Sequence, residues 1–233
     1  GYMGSALSWE ASGINALLEA RGWHRAGILA GPQLVAANGV VSENKSYAVE
    51  LPSLGPMLVQ ADHLQAMLQR VNGMHPGEQL IIVAHSAGGV VARLVLARAG
   101  VTGIKALITV ASPHLGTARA AQALDATDTP WPFCLVENFF SNGNYRVVKS
   151  SRGALLDLTP AYPGSLLHWL NMQPHPQIAY YSIVTPGPAG LGDELVPAFS
   201  QDMNNAPALK GRSAVVAVVG GHSLNPQVGF ALT

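Results

Sequence analysis

Charge is scarce in this chain. Only 11% of its 233 residues are charged, against about 25% in an average soluble domain. The surface must therefore rely on small, amide and hydroxyl groups. Thirteen Lys and Arg balance thirteen Asp and Glu, so no net field favours a nucleic acid, and no such partner is expected. Cysteine is nearly missing too. Cys134 stands alone, which excludes an internal disulfide and argues against a thiolate metal cage. Between Phe133 and Leu135 it reads as a small buried hydrophobe. Acidic residues are scattered, so neither a metal nor a cofactor is expected. No apolar run approaches the roughly 18 residues of a membrane helix. There is no fixed-period repeat and no Ser/Gly linker, so residues 1–233 read as one domain with a sizeable core.

What is present is an alternation of helix and strand patterns. Residues 6–21 carry Leu7, Ile14, Leu17 and Leu18 at helical spacing, with Gly22 as a stop. Residues 57–71 place Leu58, Ala61, Leu64, Met67, Leu68 and Val71 on one helix face. Residues 79–84 form a short apolar run suited to a strand buried on both faces, and residues 87–99 read as the next helix. Residues 105–110, 178–184 and 213–219 are three more strands of the buried type. This order predicts an α/β fold with a mainly parallel sheet and helices on both faces. Residues 118–176 break the alternation and concentrate Pro130, Trp131, Pro132, Phe133, Phe139, Phe140, Tyr145, Tyr162 and Trp169. They read as extra core, as a cap or lid over an apolar site, or as both.

The chemistry concentrates where strand 79–84 gives way to its helix, at Ala84-His85-Ser86-Ala87-Gly88-Gly89. A serine on a sharp strand-to-helix turn projects its hydroxyl above the sheet. Such a turn needs small residues two before and two after, here Ala84 and Gly88. The free N–H groups at the helix start point where an oxyanion would form. An ordinary serine N-cap is the competing reading.

The segment resembles the nucleophile elbow of the bacterial lipase and esterase branch of the α/β-hydrolase superfamily, in its Ala-x-Ser-x-Gly form. Three further segments are similar to that family. They are Ala111-Ser112-Pro113-His114-Leu115-Gly116-Thr117, Gly192-Asp193-Glu194-Leu195-Val196-Pro197 and Gly220-Gly221-His222-Ser223. The resemblance implies an α/β-hydrolase fold and a Ser-Asp-His triad in that chain order. Ser86 would attack an acyl carbon, His222 would carry its proton, and Asp193 would fix the histidine tautomer. Glu194 and, more distantly, Asp202 compete for the acid role. Side chains of neighbouring residues diverge, so Glu194 is expected to face solvent. His85 should point away from the nucleophile, and His114 to order a loop behind the site. His24, His63, His75, His168 and His175 carry no supporting context.

The opening Gly1-Tyr2-Met3-Gly4-Ser5 resembles the family's oxyanion loop without its histidine and the strand before it. On that reading the backbone N–H groups of Tyr2 and Ala87 form the oxyanion hole, and a central strand would be absent from the sheet. An unrelated loop is the rival reading. The resemblance implies acyl transfer to water from a small-molecule ester or lipid, with no cofactor and with transient contact to a lipid surface. A thioesterase, amidase or acyltransferase on the same triad is the alternative, followed by a non-catalytic binding protein. Compartment stays open.

Overall fold

The computed structural model describes residues 1–37, 43–98, 101–126 and 149–233. Among them the strands form two sheets. Strands β4 (Leu80–His85), β5 (Ile104–Val110), β6 (Ala179–Val184) and β7 (Ser213–Ala217) lie in that order. All three pairings are parallel. These are the four apolar runs visible in the sequence. Ile82, Leu107 and Tyr180 share one row of this sheet, while His85, Val110, Ile183 and Val216 share a row on the opposite face.

Each face finds its own helices. Ile82, Ala84, Leu107 and Tyr180 pack with Met57, Ala61, Leu64 and Leu68 of the long helix α3 (Met57–Met74). Val91 and Leu94 of α4 (Ala87–Ala97) join the same cluster. On the other face, Val110 and Ile183 pack against Ile14 and Val228. Full burial of such a side chain contributes about 1.5–3 kcal/mol, so both faces need their cover. Helices on both faces of a parallel sheet follow the sequence pattern.

Two details differ from the sequence reading. The helix expected over 6–21 is two short helices, α1 (Leu7–Ala11) and α2 (Ile14–Ala20). Gly13 at the junction has a φ of 76°, which α-helical backbone cannot accommodate. The Ser12 hydroxyl donates to the Trp9 carbonyl and accepts the Ile14 N–H, closing one helix while opening the next. Residues 23–50 carried no expected strand, yet form β1 (Trp23–Ala30), β2 (Gln33–Ala36) and β3 (Asn44–Glu50). Their order is β2-β1-β3, with β1 antiparallel to β2 and parallel to β3. Most of their residues are only half-buried, so no strong period marks them. No ladder joins β3 to β4 among the described residues, and the two sheets stand separate.

The described helices of the expected cap contribute to the core on one side, while Tyr162 and Trp169 are exposed. Helices α5 (Ala118–Ala126), α6 (Arg152–Asp157) and α7 (Leu166–Met172) carry Ala120, Ala154, Leu155, Leu167 and Leu170 into the main cluster. Pro130, Trp131, Pro132, Phe133, Cys134, Phe139, Phe140 and Tyr145 lie outside the described residues. Two further helices follow, α8 (Ala198–Gln201) and α9 (Pro226–Leu232). No described helix is long and apolar enough to cross a membrane.

Candidate active site

Strand β4 runs into α4 with no spare residue, so Ser86 must reverse the chain. Its φ of 53° and ψ of −133° lie where a non-glycine backbone is strained by about 1–3 kcal/mol. The turn is held from both sides. The Ser86 N–H donates to the Val110 carbonyl at 2.8 Å, and the Ser86 carbonyl accepts the Gly89 N–H at 3.0 Å. The smallness rule needs one correction. A Cβ on Gly88 would touch Ala84 Cβ at an ordinary 3.8 Å, whereas a Cβ on Gly89 would clash with Ser112 Oγ. The close approach is at Gly89, where α4 passes over the loop after β5.

The three side chains foreseen as partners meet here. Ser86 Oγ lies 2.8 Å from His222 Nε2. His222 Nδ1 lies 3.0 Å from Asp193 Oδ2. A carboxylate beside Nδ1 keeps the proton there, which leaves the Nε2 lone pair for the serine hydroxyl. Asp193 is locked from every side. Its Oδ1 accepts the N–H groups of Leu195 and Val196, and its Oδ2 accepts Thr185 Oγ1–H and Gln201 Nε2–H. Its side chain is fully buried. Burial pushes the carboxyl pKa up, but the bonds from His222, Val196 and Leu195 outweigh that and hold it below the ordinary value.

The rivals have places of their own. Glu194 is exposed but does not simply face solvent. Both its carboxylate oxygens accept the backbone N–H of His222, at 3.1 and 3.2 Å. His85 donates from Nε2 to the His222 carbonyl at 2.7 Å. Burial lowers its pKa to about 4, so it is neutral. Asp202 caps a short turn through Asn204 N–H.

The opening loop lies against Ser86. A Cβ on Gly1 would stand 3.3 Å from Ser86 Oγ. Tyr2 is tethered through its hydroxyl to Ser151 Oγ at 2.7 Å, and the Ala6 N–H is held by Glu50 Oε2 at 2.7 Å. Ala87 is the first residue of α4, so the helix cannot satisfy its N–H. Among the described residues no group of three or more His, Cys, Asp or Glu could hold a metal ion.

Comparison with known proteins places the fold. The chain is similar throughout its length to the mature form of a Bacillus licheniformis lipase, BlEst2. The TM-score is 0.65 at 15% identity, covering 100% of this chain and 86% of that one. An extracellular alpha/beta-hydrolase from a Paenibacillus species matches with a TM-score of 0.54 at 13% identity, over 96% of this chain and 88% of that one. This chain has the α/β-hydrolase fold. A deformylase of N-formylmaleamic acid from Pseudomonas putida shares it, with a TM-score of 0.52 at 16% identity over 100% and 88% of the two chains. The family described as PGAP1-like alpha/beta domain matches residues 50–130, the stretch holding the elbow. No curated protein sequence matches the chain.

In α/β-hydrolase terms, Ser86, Asp193 and His222 all follow the carboxyl ends of parallel strands, β4, β6 and β7. The sequence reading missed Thr185 and Gln201, which hold Asp193. Gln201 is fully buried, and only folding of the 186–201 loop reveals its target. It also missed a second polar cluster. Arg93, fully buried on α4, donates to Asn171 Oδ1 at 2.9 Å, His175 Nε2 at 3.3 Å and His114 Nδ1 at 3.5 Å. Among the described residues no carboxylate pairs with it, and its Nη2 has no partner. Burial lowers its pKa to about 9, with Tyr180 opposing the shift. The His114 ring lies behind the loop after β5, with Nε2 3.1 Å from Thr109 Oγ1, while its backbone N–H donates to the Ser200 carbonyl at 2.8 Å.

Proposed function

We propose that the protein is a serine ester hydrolase that works through an acyl-Ser86 intermediate. The observation that carries this reading is the unbroken hydrogen-bond line from Ser86 Oγ through His222 to Asp193, on a strained turn of an α/β-hydrolase sheet. His222 Nε2 takes the serine proton as Oγ attacks the acyl carbon, then delivers it to the departing alkoxide. Water repeats the sequence on the acyl-enzyme and releases the acid. Asp193 keeps the imidazole in the required tautomer and stabilises its cation. The N–H groups of Ala87 and Tyr2 serve as oxyanion donors, and losing one such donor costs about 3 kcal/mol in the transition state.

Apolar side chains on the surrounding loops favour an ester with an acyl chain, presented freely or at a lipid surface. Leu191 and Leu195 on the loop carrying Asp193, Phe199 on α8 and Val219 ahead of His222 are all exposed. A fold shared with both a lipase and a deformylase keeps amide cleavage as the second reading. Two measurements decide. A fluorophosphonate probe should label the folded protein, and Ser86→Ala should abolish labelling and lower ester hydrolysis by at least about 10³-fold. Equal labelling of Ser86→Ala would remove Ser86 as nucleophile. Rates on p-nitrophenyl acetate, butyrate and palmitate, set against matched anilides, then separate esterase, lipase and amidase; activity on anilides alone would overturn the ester assignment.

A further inference from the structure

Asp193 orients the imidazole of His222, but a ring is only as well placed as the backbone that carries it. His222 follows Gly220 and Gly221, and nothing in that sequence fixes its peptide groups. The neighbouring side chains do. Glu194 accepts the His222 N–H with both carboxylate oxygens, and His85 donates to the His222 carbonyl. The two contacts grip opposite ends of one residue. Gly221 makes the first one accessible, because a Cβ there would stand 3.1 Å from Glu194 Oε2. The second is reinforced by ring packing, with the His85 and His222 centroids 5.0 Å apart.

We infer that Glu194 and His85 are positioning residues that clamp the backbone of His222, so that Asp193-Glu194 holds the base by ring and main chain at once. This deepens the proposed function and rests on it. Neither residue touches the reacting atoms. A carboxylate at position 194 is suited to this task for reach: it has the length to cross to the N–H, and either oxygen can accept. Its chemistry is acceptance of a hydrogen bond, so an amide of equal length should replace it and a shorter acid should not.

The test uses the full chain with Glu194→Ala, Glu194→Asp and Glu194→Gln. Glu194 is exposed, so all three should fold, which far-UV circular dichroism checks. Small misplacements of a reacting group cost up to about 10²-fold. For p-nitrophenyl butyrate, kcat should fall about 10- to 100-fold in the Ala and Asp variants, with KM within about twofold of wild type. The Gln variant should recover to within about threefold. The rate of fluorophosphonate labelling at Ser86 should follow the same order. Wild-type kcat in Glu194→Ala, or a Gln variant as slow as Ala, overturns the clamp. Failure of the wild type itself to label would instead sink the hydrolase reading, so the two failures are distinct.

Discussion

Helix α4 carries two buried polar clusters that answer opposite demands. At its first turn, Ser86 meets His222 and Asp193; two turns on, Arg93 meets His114, Asn171 and His175. The first cluster holds an anion that is fully satisfied, plus a hydroxyl at the carboxyl end of β4. The second holds a cation surrounded by neutral acceptors. Its tautomers agree: His175 Nδ1 donates to the Gln173 carbonyl and His114 Nε2 to Thr109 Oγ1, which leaves the opposite ring nitrogens free to accept from Arg93. The first arrangement can move a proton along a line toward a substrate. The second has no such line: its groups are enclosed, and both histidines and Asn171 are engaged as acceptors of Arg93. It joins α4, α7 and the loop after β5. On the proposed function one cluster serves chemistry, and the other serves as a strut.

The comparison breaks most visibly on the side of chemistry. Asp193→Asn keeps the shape but turns an amide N–H toward donors, so His222 loses its preferred tautomer. Its kcat on a p-nitrophenyl ester should fall by about 10³- to 10⁴-fold while the protein remains folded. A fall under tenfold would mean that another group, Glu194 foremost, orients the ring.

The strut should fail in the other currency. Arg93→Ala removes the donor to three acceptors and leaves a void in the core. Unmet acceptors and cavities together cost about 3–5 kcal/mol in buried sites. Urea unfolding should report that loss, with the kcat of the folded fraction within a few-fold of wild type. Arg93→Met, which fills more of the space and removes the charge that burial penalises, should cost less than Ala. A stable Arg93→Ala with lost activity would reverse the assignment of the two clusters.

The sequence reveals these clusters unequally. Ser86 is legible because a nucleophile elbow imposes a local pattern: a buried strand, small flanks and a helix start. Asp193 and His222 stand out in the sequence only through the resemblance of their segments, and of their order after Ser86, to a known family. The strut is silent, since Arg93 on a helix looks like a surface residue until its helix is buried, and His175 comes from a loop 82 residues away. The clamp on His222 is silent for another reason. Glu194 and His85 act on peptide groups, which every residue has, so no residue type announces the target. Strands β1 to β3 escaped because half-buried strands show neither strict alternation nor a continuous apolar run.

Acid separates the clusters with a smaller effect, and its sign follows from the histidines. Burial lowers the pKa of His85 and His175 from 6.5 to about 4, and that of His114 well below 6.5. Arg93 adds repulsion at His114 and His175. The unfolded chain regains the ordinary value near 6.5, so between pH 6.5 and 4 it binds protons that the native state refuses. Stability is therefore complete above about pH 6.5 and declines as the pH falls. A net loss on the order of 2 kcal/mol by pH 5 is expected, since each unit of depression is worth about 1.4 kcal/mol and partial opening to water relaxes it. Asp193 adds to the loss only near and below 3.8, because its carboxyl is held low in the native state. Urea titrations at pH 7, 6 and 5 measure the slope. Arg93→Met should make it shallower, because His114 and His175 lose a cationic neighbour while His85, on the other cluster, keeps its own burial. A slope equal in both proteins would show that burial alone holds the two strut histidines neutral, and a flat profile in the wild type would mean that none of the three is kept from protons.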